Sequence, residues 1–253
     1  MISATVFIFI LGLAIGSFLN VLIDRLPQGV TINGRSHCDF CNKTLNWYDL
    51  VPVISFFLSG GRCRYCNKKL SWQYPLVESF TGIFFVAIYL LRMDPLMTIS
   101  LLGIASSLTV IFVADLKYHI IPDEATTAIL FFSMPRVISQ GDVFNNFLGS
   151  LSLMMSIYFL YLVTKGKGMG FGDVKLAAAM GWLLGIKVGL LALYLSFILG
   201  GVISLILIAL RIRHVGSKIA FGPFLVFGTV SVLFFYSFVA RIVNQALGAY
   251  GLF

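Results

Sequence analysis

Charge is what this sequence has least of. Only 11% of its residues are Asp, Glu, Lys or Arg, against roughly 25% in a soluble domain. With 59% hydrophobic residues and a mean hydropathy of +0.97, that shortage excludes a water-soluble globular protein. It predicts an all-α polytopic membrane protein whose main solvent is the lipid bilayer. Acidic residues are scarcer still, ten against eighteen Lys and Arg. The resulting charge of +8 is read as the mark of cytoplasmic loops, so no nucleic-acid partner is predicted. The first apolar run lacks the basic start of a cleavable signal peptide and leads straight into Asp24-Arg25-Leu26-Pro27. No tandem repeat, no low-complexity tract and no glycine-rich nucleotide fingerprint is evident. Cysteine is absent outside one short segment.

What is present is a series of apolar runs near the 17 to 25 residues or so that a bilayer crossing takes. They predict about eight transmembrane helices, near 2–23, 74–91, 96–114, 124–139, 144–164, 174–184, 186–210 and 219–243. The fourth and sixth are short for a crossing, which tilt or shielding by neighbouring helices would accommodate. If the first helix starts outside, fourteen of the eighteen Lys and Arg fall in the inside segments 24–73, 115–123, 165–175 and 211–218. That bias predicts a multi-pass protein with both termini outside and its basic loops in the cytoplasm. Three parts follow: a first transmembrane helix (1–23), a small cytoplasmic four-cysteine subdomain (24–73) inserted between helices one and two, and a transmembrane bundle (74–253).

The subdomain holds all four cysteines, as Cys38-Asp39-Phe40-Cys41 and Cys63-Arg64-Tyr65-Cys66. Two CxxC knuckles at this separation can wrap one tetrahedral ion, each supplying two thiolates. Arg62, Arg64, Lys68 and Lys69 would partly offset the charge. Two disulfides are the alternative, disfavoured in a reducing compartment; a redox CxxC pair is another. A closed four-thiolate site has no open position for catalysis, so Cys38, Cys41, Cys63 and Cys66 are read as ligands of a structural zinc. It would staple a segment too poor in aliphatics to fold easily alone.

Two carboxylates carry the functional argument. Asp115 closes the third apolar run, in Phe112-Val113-Ala114-Asp115, and Asp173 opens the sixth, in Gly170-Phe171-Gly172-Asp173. Carboxylates at membrane depth are costly and mark functional sites by default. The Lys and Arg bias, which uses neither aspartate, puts both at the cytoplasmic face. Two carboxylates in contact share a proton and titrate as a unit. Such a dyad can hold a water, one group acting as base and the other as acid. Each also has a plainer reading: Asp173 as a helix cap, Asp115 as an interfacial group paired with Lys117 or solvated.

The motifs resemble those of the type IV prepilin peptidases. The resemblance rests on Gly16-Ser17-Phe18-Leu19-Asn20-Val21, Arg25-Leu26-Pro27, both cysteine pairs, Leu45-x-Trp47, Leu50-x-Pro52 and Tyr74-Pro75-x-x-Glu78. It continues through Asp115 with Ile121-Pro122-Asp123, Gly170-x-Gly172-Asp173-x-Lys175 and Phe221-Gly222-Pro223-Phe224. It covers most of the chain in the right order. It implies a GxGD-type aspartic endopeptidase of the bacterial inner membrane, with Asp115 and Asp173 catalytic. It further implies prepilin or pseudopilin substrates with a basic leader, and S-adenosylmethionine-dependent N-methylation of the new N-terminus. The rival from another class is an ion-coupled transporter, which would set its carboxylates near the midplane of internally symmetric halves; a membrane scaffold is a third reading. Other polar residues take lesser roles. Asp123 is read as a helix cap, beside Glu124, and Asn20 as an interhelical hydrogen-bonding group. Glu78 is read as an ion-pairing group that holds a leader or ties the subdomain to the bundle. His37, His119 and His214 are read as isolated loop residues. One difficulty is electrostatic: basic inside loops repel a basic leader, unless Asp24, Asp39, Asp49 and Glu78 offset this locally.

Overall fold

Each apolar run folds as a helix, because a chain in lipid must satisfy its backbone amides within the segment. The structure, a computed structural model, describes residues 2–166, 168–212, 214 and 219–246. In chain order the helices are α1 (Ile2–Arg25), α2 (Ile54–Leu58), α3 (Gln73–Leu90), α4 (Pro95–Tyr118), α5 (Asp123–Gln140), α6 (Val143–Val163), α7 (Phe171–Leu184), α8 (Ile186–Ala209) and α9 (Gly222–Ala246). Among the described residues there is no strand, only two isolated antiparallel bridges.

All eight expected helices are present, but they are not equivalent. Among the described residues five helices, α1, α3, α4, α6 and α8, are long and apolar enough to cross a membrane. α5 carries Asp123, Glu124, Pro135 and Arg136. α7 has 14 residues, about 21 Å at 1.5 Å per residue, short of a hydrocarbon core of about 30 Å. α9 is apolar only over Gly222–Tyr236 and leaves helical geometry at Phe235. About eight transmembrane helices are expected from the sequence, the fourth and sixth of them short; among the described residues five meet the requirement on their own length and composition.

The chain divides into two compact units, 1–110 and 111–253, with the boundary inside α4. In the first unit α1 packs along α3. Two glycines allow it: a Cβ on Gly12 would lie 2.7 Å from the Gly82 Cα, and one on Gly16 would lie 2.7 Å from the Glu78 Cα. Apolar area gives no net drive between helices in lipid, so small residues that bring backbones together do the work. The Asn20 amide adds a polar tie, donating to the Tyr74 carbonyl at 3.2 Å and accepting from Gln73 Nε2 at 3.3 Å. This is the interhelical role predicted for it.

In the second unit α6 packs on α7, α5 on α7 and α8 on α9. Gly149 meets the Gly181 carbonyl and the Gly185 backbone, a small-residue crossing of the same kind. Asn146 reinforces it by donating to the Trp182 carbonyl at 2.7 Å. α7 breaks into α8 at Gly185, with φ 75° and ψ 178°, a region open essentially to glycine alone. The buried hydroxyls of Thr81 and Ser196 donate back to carbonyls one turn earlier, Val77 and Ala192, so neither is left unpaired in lipid.

Candidate active site and four-cysteine cluster

Asp115 stands in the last turn of α4 and Asp173 in the first turn of α7. Both are buried, 5% and 7% exposed. Asp115 is therefore withdrawn from solvent; the Lys117 amine lies over the Tyr118 ring at 5.0 Å. Its Oδ2 instead accepts the backbone N–H of Gly222 at 2.9 Å, the first residue of α9. Asp173 Oδ2 accepts the backbone N–H of Gly170, also at 2.9 Å. The capping reading of Asp173 thus describes a bond the residue makes, although the cap position itself belongs to Gly170. Each carboxylate meets the amino end of a helix, α9 for Asp115 and α7 for Asp173, where the backbone dipole favours negative charge.

The two groups are brought together around Ile121. A Cβ on Gly172 would lie 3.1 Å from the Ile121 Cβ, and one on Gly222 would lie 3.2 Å from the Ile121 Cδ1. One isoleucine therefore packs against the glycine beside Asp173 and the glycine bonded to Asp115. His119, one turn beyond Asp115, donates its backbone N–H to the Asp115 carbonyl at 2.9 Å. Sequence reasoning set His119 aside as isolated. It also missed Gly222 as a partner of Asp115, because a backbone donor 107 residues away leaves no side-chain signature.

Asp123 begins α5 but does not cap it; Pro122 holds that position. Its carboxylate pairs with Lys175 Nζ at 2.7 Å, joining α5 to α7. Asp123, Lys175, Thr126, Met155, Tyr158 and Phe171 help line a cavity of about 540 Å³ between α5, α6 and α7.

In the first unit the four cysteines converge. All four Sγ atoms lie within 4.8 Å of one another, with Cys38 and Cys66 at 3.9 Å. A tetrahedral zinc with bonds of about 2.3 Å wants sulfurs about 3.8 Å apart, so the donor set fits such an ion. The Tyr65 backbone amide holds the Cys63 thiol down at about 7, whereas burial pushes the Cys38 thiol up. Amides aimed at sulfur favour the thiolate a metal needs.

The two knuckles are copies, which sequence reading missed. Cys38 and Cys63 N–H donate to the carbonyls of Lys43 and Lys68, and Asn42 and Asn67 N–H donate to those of Cys38 and Cys63. Leu45 and Leu70 N–H close the two hairpins on Ser36 and Gly61. Asn42 and Asn67 are both left-handed, φ 54° and 57°. Every pair is offset by 25 positions, and Trp47 and Trp72 extend the match. Cross-bonds join the copies: Asn46 donates to the Tyr65 hydroxyl at 2.8 Å, and that hydroxyl donates to Asp49 at 3.1 Å.

Asp24, Asp39, Asp49 and Glu78 now have places. The Tyr74 hydroxyl lies 3.1 Å from Asp24 and 3.2 Å from Asp39. Asp49 pairs with Arg64 at 3.3 Å. Glu78, expected in an ion pair, instead accepts the Val53 backbone N–H at 2.7 Å and so ties the cysteine-bearing segment to α3.

Comparison with known proteins supplies the chain's relatives. Residues 10–92 match the Bacterial Peptidase A24 N-terminal domain and residues 102–205 the Type IV leader peptidase family. A prepilin leader peptidase/N-methyltransferase of Aeromonas hydrophila is 31% identical over 249 residues, covering 86% of each chain. The protein of that name in Pectobacterium carotovorum subsp. carotovorum is 32% identical over 87% of this chain and 89% of its own. The one in Bacillus subtilis (strain 168) is 29% identical over 95% and 98%. No solved structure matches with significance. On this sequence kinship, the chain belongs to the type IV leader peptidase family of membrane proteases.

Proposed function

We propose that the chain removes the leader peptide of type IV prepilins or pseudopilins, with Asp115 and Asp173 as an aspartic dyad at the cytoplasmic face of the bacterial inner membrane. The observation that supports this reading is that two carboxylates are buried at helix ends in one unit, each held through a single oxygen by a glycine amide. With one proton between them, the ionised group takes a proton from a water as that water attacks the scissile carbonyl. The protonated group donates to the carbonyl oxygen. Collapse of the tetrahedral intermediate then sends a proton to the departing amine, and the dyad ends with the single proton it began with. The Gly222 and Gly170 amides fix the two carboxylates without side chains that would need reorganising.

The substrate's physics fits. A basic leader followed by an apolar helix keeps its charged end on the inner side as the helix inserts, so the scissile bond lies at the interface. The carboxylates at the ends of α4 and α7 are then level with it, whereas a transporter's would lie near the midplane. Cys38, Cys41, Cys63 and Cys66 would hold a structural zinc that folds the segment between α1 and α3. Methylation of the new N-terminus is proposed from the names of the relatives. Among the described residues no glycine-rich strand–helix turn offers a cradle for S-adenosylmethionine.

Incubating the purified protein with a prepilin and weighing the products tests the reading. The expected result is a shortened pilin, abolished by Asp115→Asn or Asp173→Asn in protein that still inserts. Near-normal cleavage by either well-expressed variant would overturn the dyad. A product heavier than the shortened pilin by one methyl group reports the second activity in the same measurement.

A further inference from the structure

Between the two knuckles the chain presents an apolar surface that neither the metal cluster nor the carboxylates use. It begins at Val53, whose backbone stands at φ 62° and ψ −52°, a conformation that a β-branched residue adopts only when its surroundings impose it. Glu78 imposes it, since its buried carboxylate accepts the Val53 N–H. Glu78 lies in the second turn of α3, so this bond sets the start of α2 level with that turn. Phe56 is the buried side chain of α2. Its ring lies 5.0 Å from that of Trp72, the residue that caps α3, and the Phe57 ring lies 6.1 Å away. With α2 pinned at both points, Ile54, Phe57 and Leu58 face outward at 57%, 60% and 75% exposure.

α3 is one of the helices able to cross the bilayer. Its exposed large residues Trp72, Leu76, Phe80 and Ile83 are spaced by four, four and three, which puts them on one helix face. In a spanning helix that face touches lipid. Trp72 ends the stripe, and α2 carries it on sideways through its ring contacts. Aromatic residues favour the level of the lipid headgroups, where an apolar ring meets water. Arg62 follows shortly after α2, its N–H donating to the Ser59 carbonyl, and Lys68 and Lys69 stand farther along the same segment. Cations so placed favour an anionic lipid surface.

We propose that α2 is an interfacial wedge. Ile54, Phe57 and Leu58, together with Trp72, enter the headgroup–acyl boundary of the leaflet in which α3 begins, and hold the four-cysteine segment down on the bilayer. The occupant of this face is lipid, because the face is continuous with one that lipid already covers. Its depth is limited to the interface, since α2 spans only five residues and the cationic Arg62 stands four positions beyond it.

The test uses the unmodified protein in mixed phosphatidylcholine–phosphatidylglycerol vesicles containing a phosphatidylcholine with a photoreactive acyl chain. Peptide mapping is expected to find label on residues 54–58 as well as on α3. A second measurement uses Leu58→Trp with Trp47, Trp72 and Trp182 each changed to Phe. Its emission is expected to be blue-shifted and strongly lost in dibrominated lipid, with little loss to aqueous acrylamide. Label on α3 alone, with acrylamide quenching at position 58, would mean that the face stands in water and would overturn the proposal. Protection of position 58 from both quenchers, again without lipid label on 54–58, would mean that protein covers it, a second copy included, and would overturn it equally.

Discussion

At the residue scale the informative bonds are those from main-chain amides to carboxylates. Gly222→Ala would put a Cβ 2.6 Å from Asp115 Oδ2 and 3.1 Å from its Cγ. The Asp115 carboxylate must move, and a displacement of about 1 Å at a catalytic group costs on the order of a hundredfold in rate. Leader cleavage by this variant is expected to fall by about that factor while membrane insertion is kept; near-normal turnover would show that Asp115 does not need its present position. Asp123→Asn is the contrast. Its pair with Lys175 is well exposed on both sides, so the change is expected to cost under about 1 kcal/mol in thermal stability and to leave cleavage almost intact. Asp115 and Asp173 could be singled out in the sequence because carboxylates flanked by apolar runs and glycines are rare. The bonds that hold them could not, since a backbone donor is present at almost every position. Glu78 shows the same limit: its position was conspicuous, but its partner is the Val53 amide rather than a cation.

At the scale of elements, helix positions were legible and helix roles were not. Apolar runs fix where α1, α3, α4, α6 and α8 lie. Whether α5, α7 and α9 cross fully depends on what shields Asp123 or a 14-residue α7, and that lies outside any local window. The duplicated knuckles escaped notice for a related reason: outside the cysteines only a few positions match, such as Lys43 with Lys68 and Leu45 with Leu70, and the likeness resides in hydrogen bonds. Two measurements follow. Gly16→Ala puts a Cβ 2.7 Å from the Glu78 Cα, a backbone atom that cannot swing aside. The α1–α3 pair is expected to lose about 1 to 3 kcal/mol, visible as a lower midpoint of thermal unfolding in detergent; an unchanged midpoint would mean that the two helices do not need this approach. Elemental analysis is expected to find about one zinc per chain. Cys→Ser at position 38, 41, 63 or 66 should lower that content and make the segment between α1 and α3 protease-sensitive. Metal-free protein with two intact disulfides would refute the zinc.

At the scale of the whole molecule the peptidase reading depends on topology. Lys117 follows Asp115 by two residues and Lys165 precedes α7. Single cysteines at Lys117→Cys and Lys165→Cys, with the native four replaced, are expected to resist an impermeant thiol reagent in intact cells and to react once the membrane is opened. Gln140→Cys, at the far end of α5, is expected to react in intact cells. Labelling of one lysine position without the other would put the aspartates on opposite faces and end the shared-site mechanism. The basic segment 211–218, which contributed to the predicted orientation, lies largely outside the described residues, so the labelling test rests on the loops after α4 and before α7.

The amides that anchor the two carboxylates also govern how freely the surrounding sequence can drift. A donor that belongs to the main chain survives every substitution except proline, which alone removes the N–H. At position 170 an added Cβ would meet Asp173 Oδ2 at 3.4 Å, an ordinary contact, so many residues can stand there with the bond intact. At position 222 any side chain collides with Asp115. Two bonds of equal length thus impose unequal constraints on inheritance. Gly170, which anchors Asp173, is one tolerated choice among several, whereas Gly222, which anchors Asp115, is the one residue that fits.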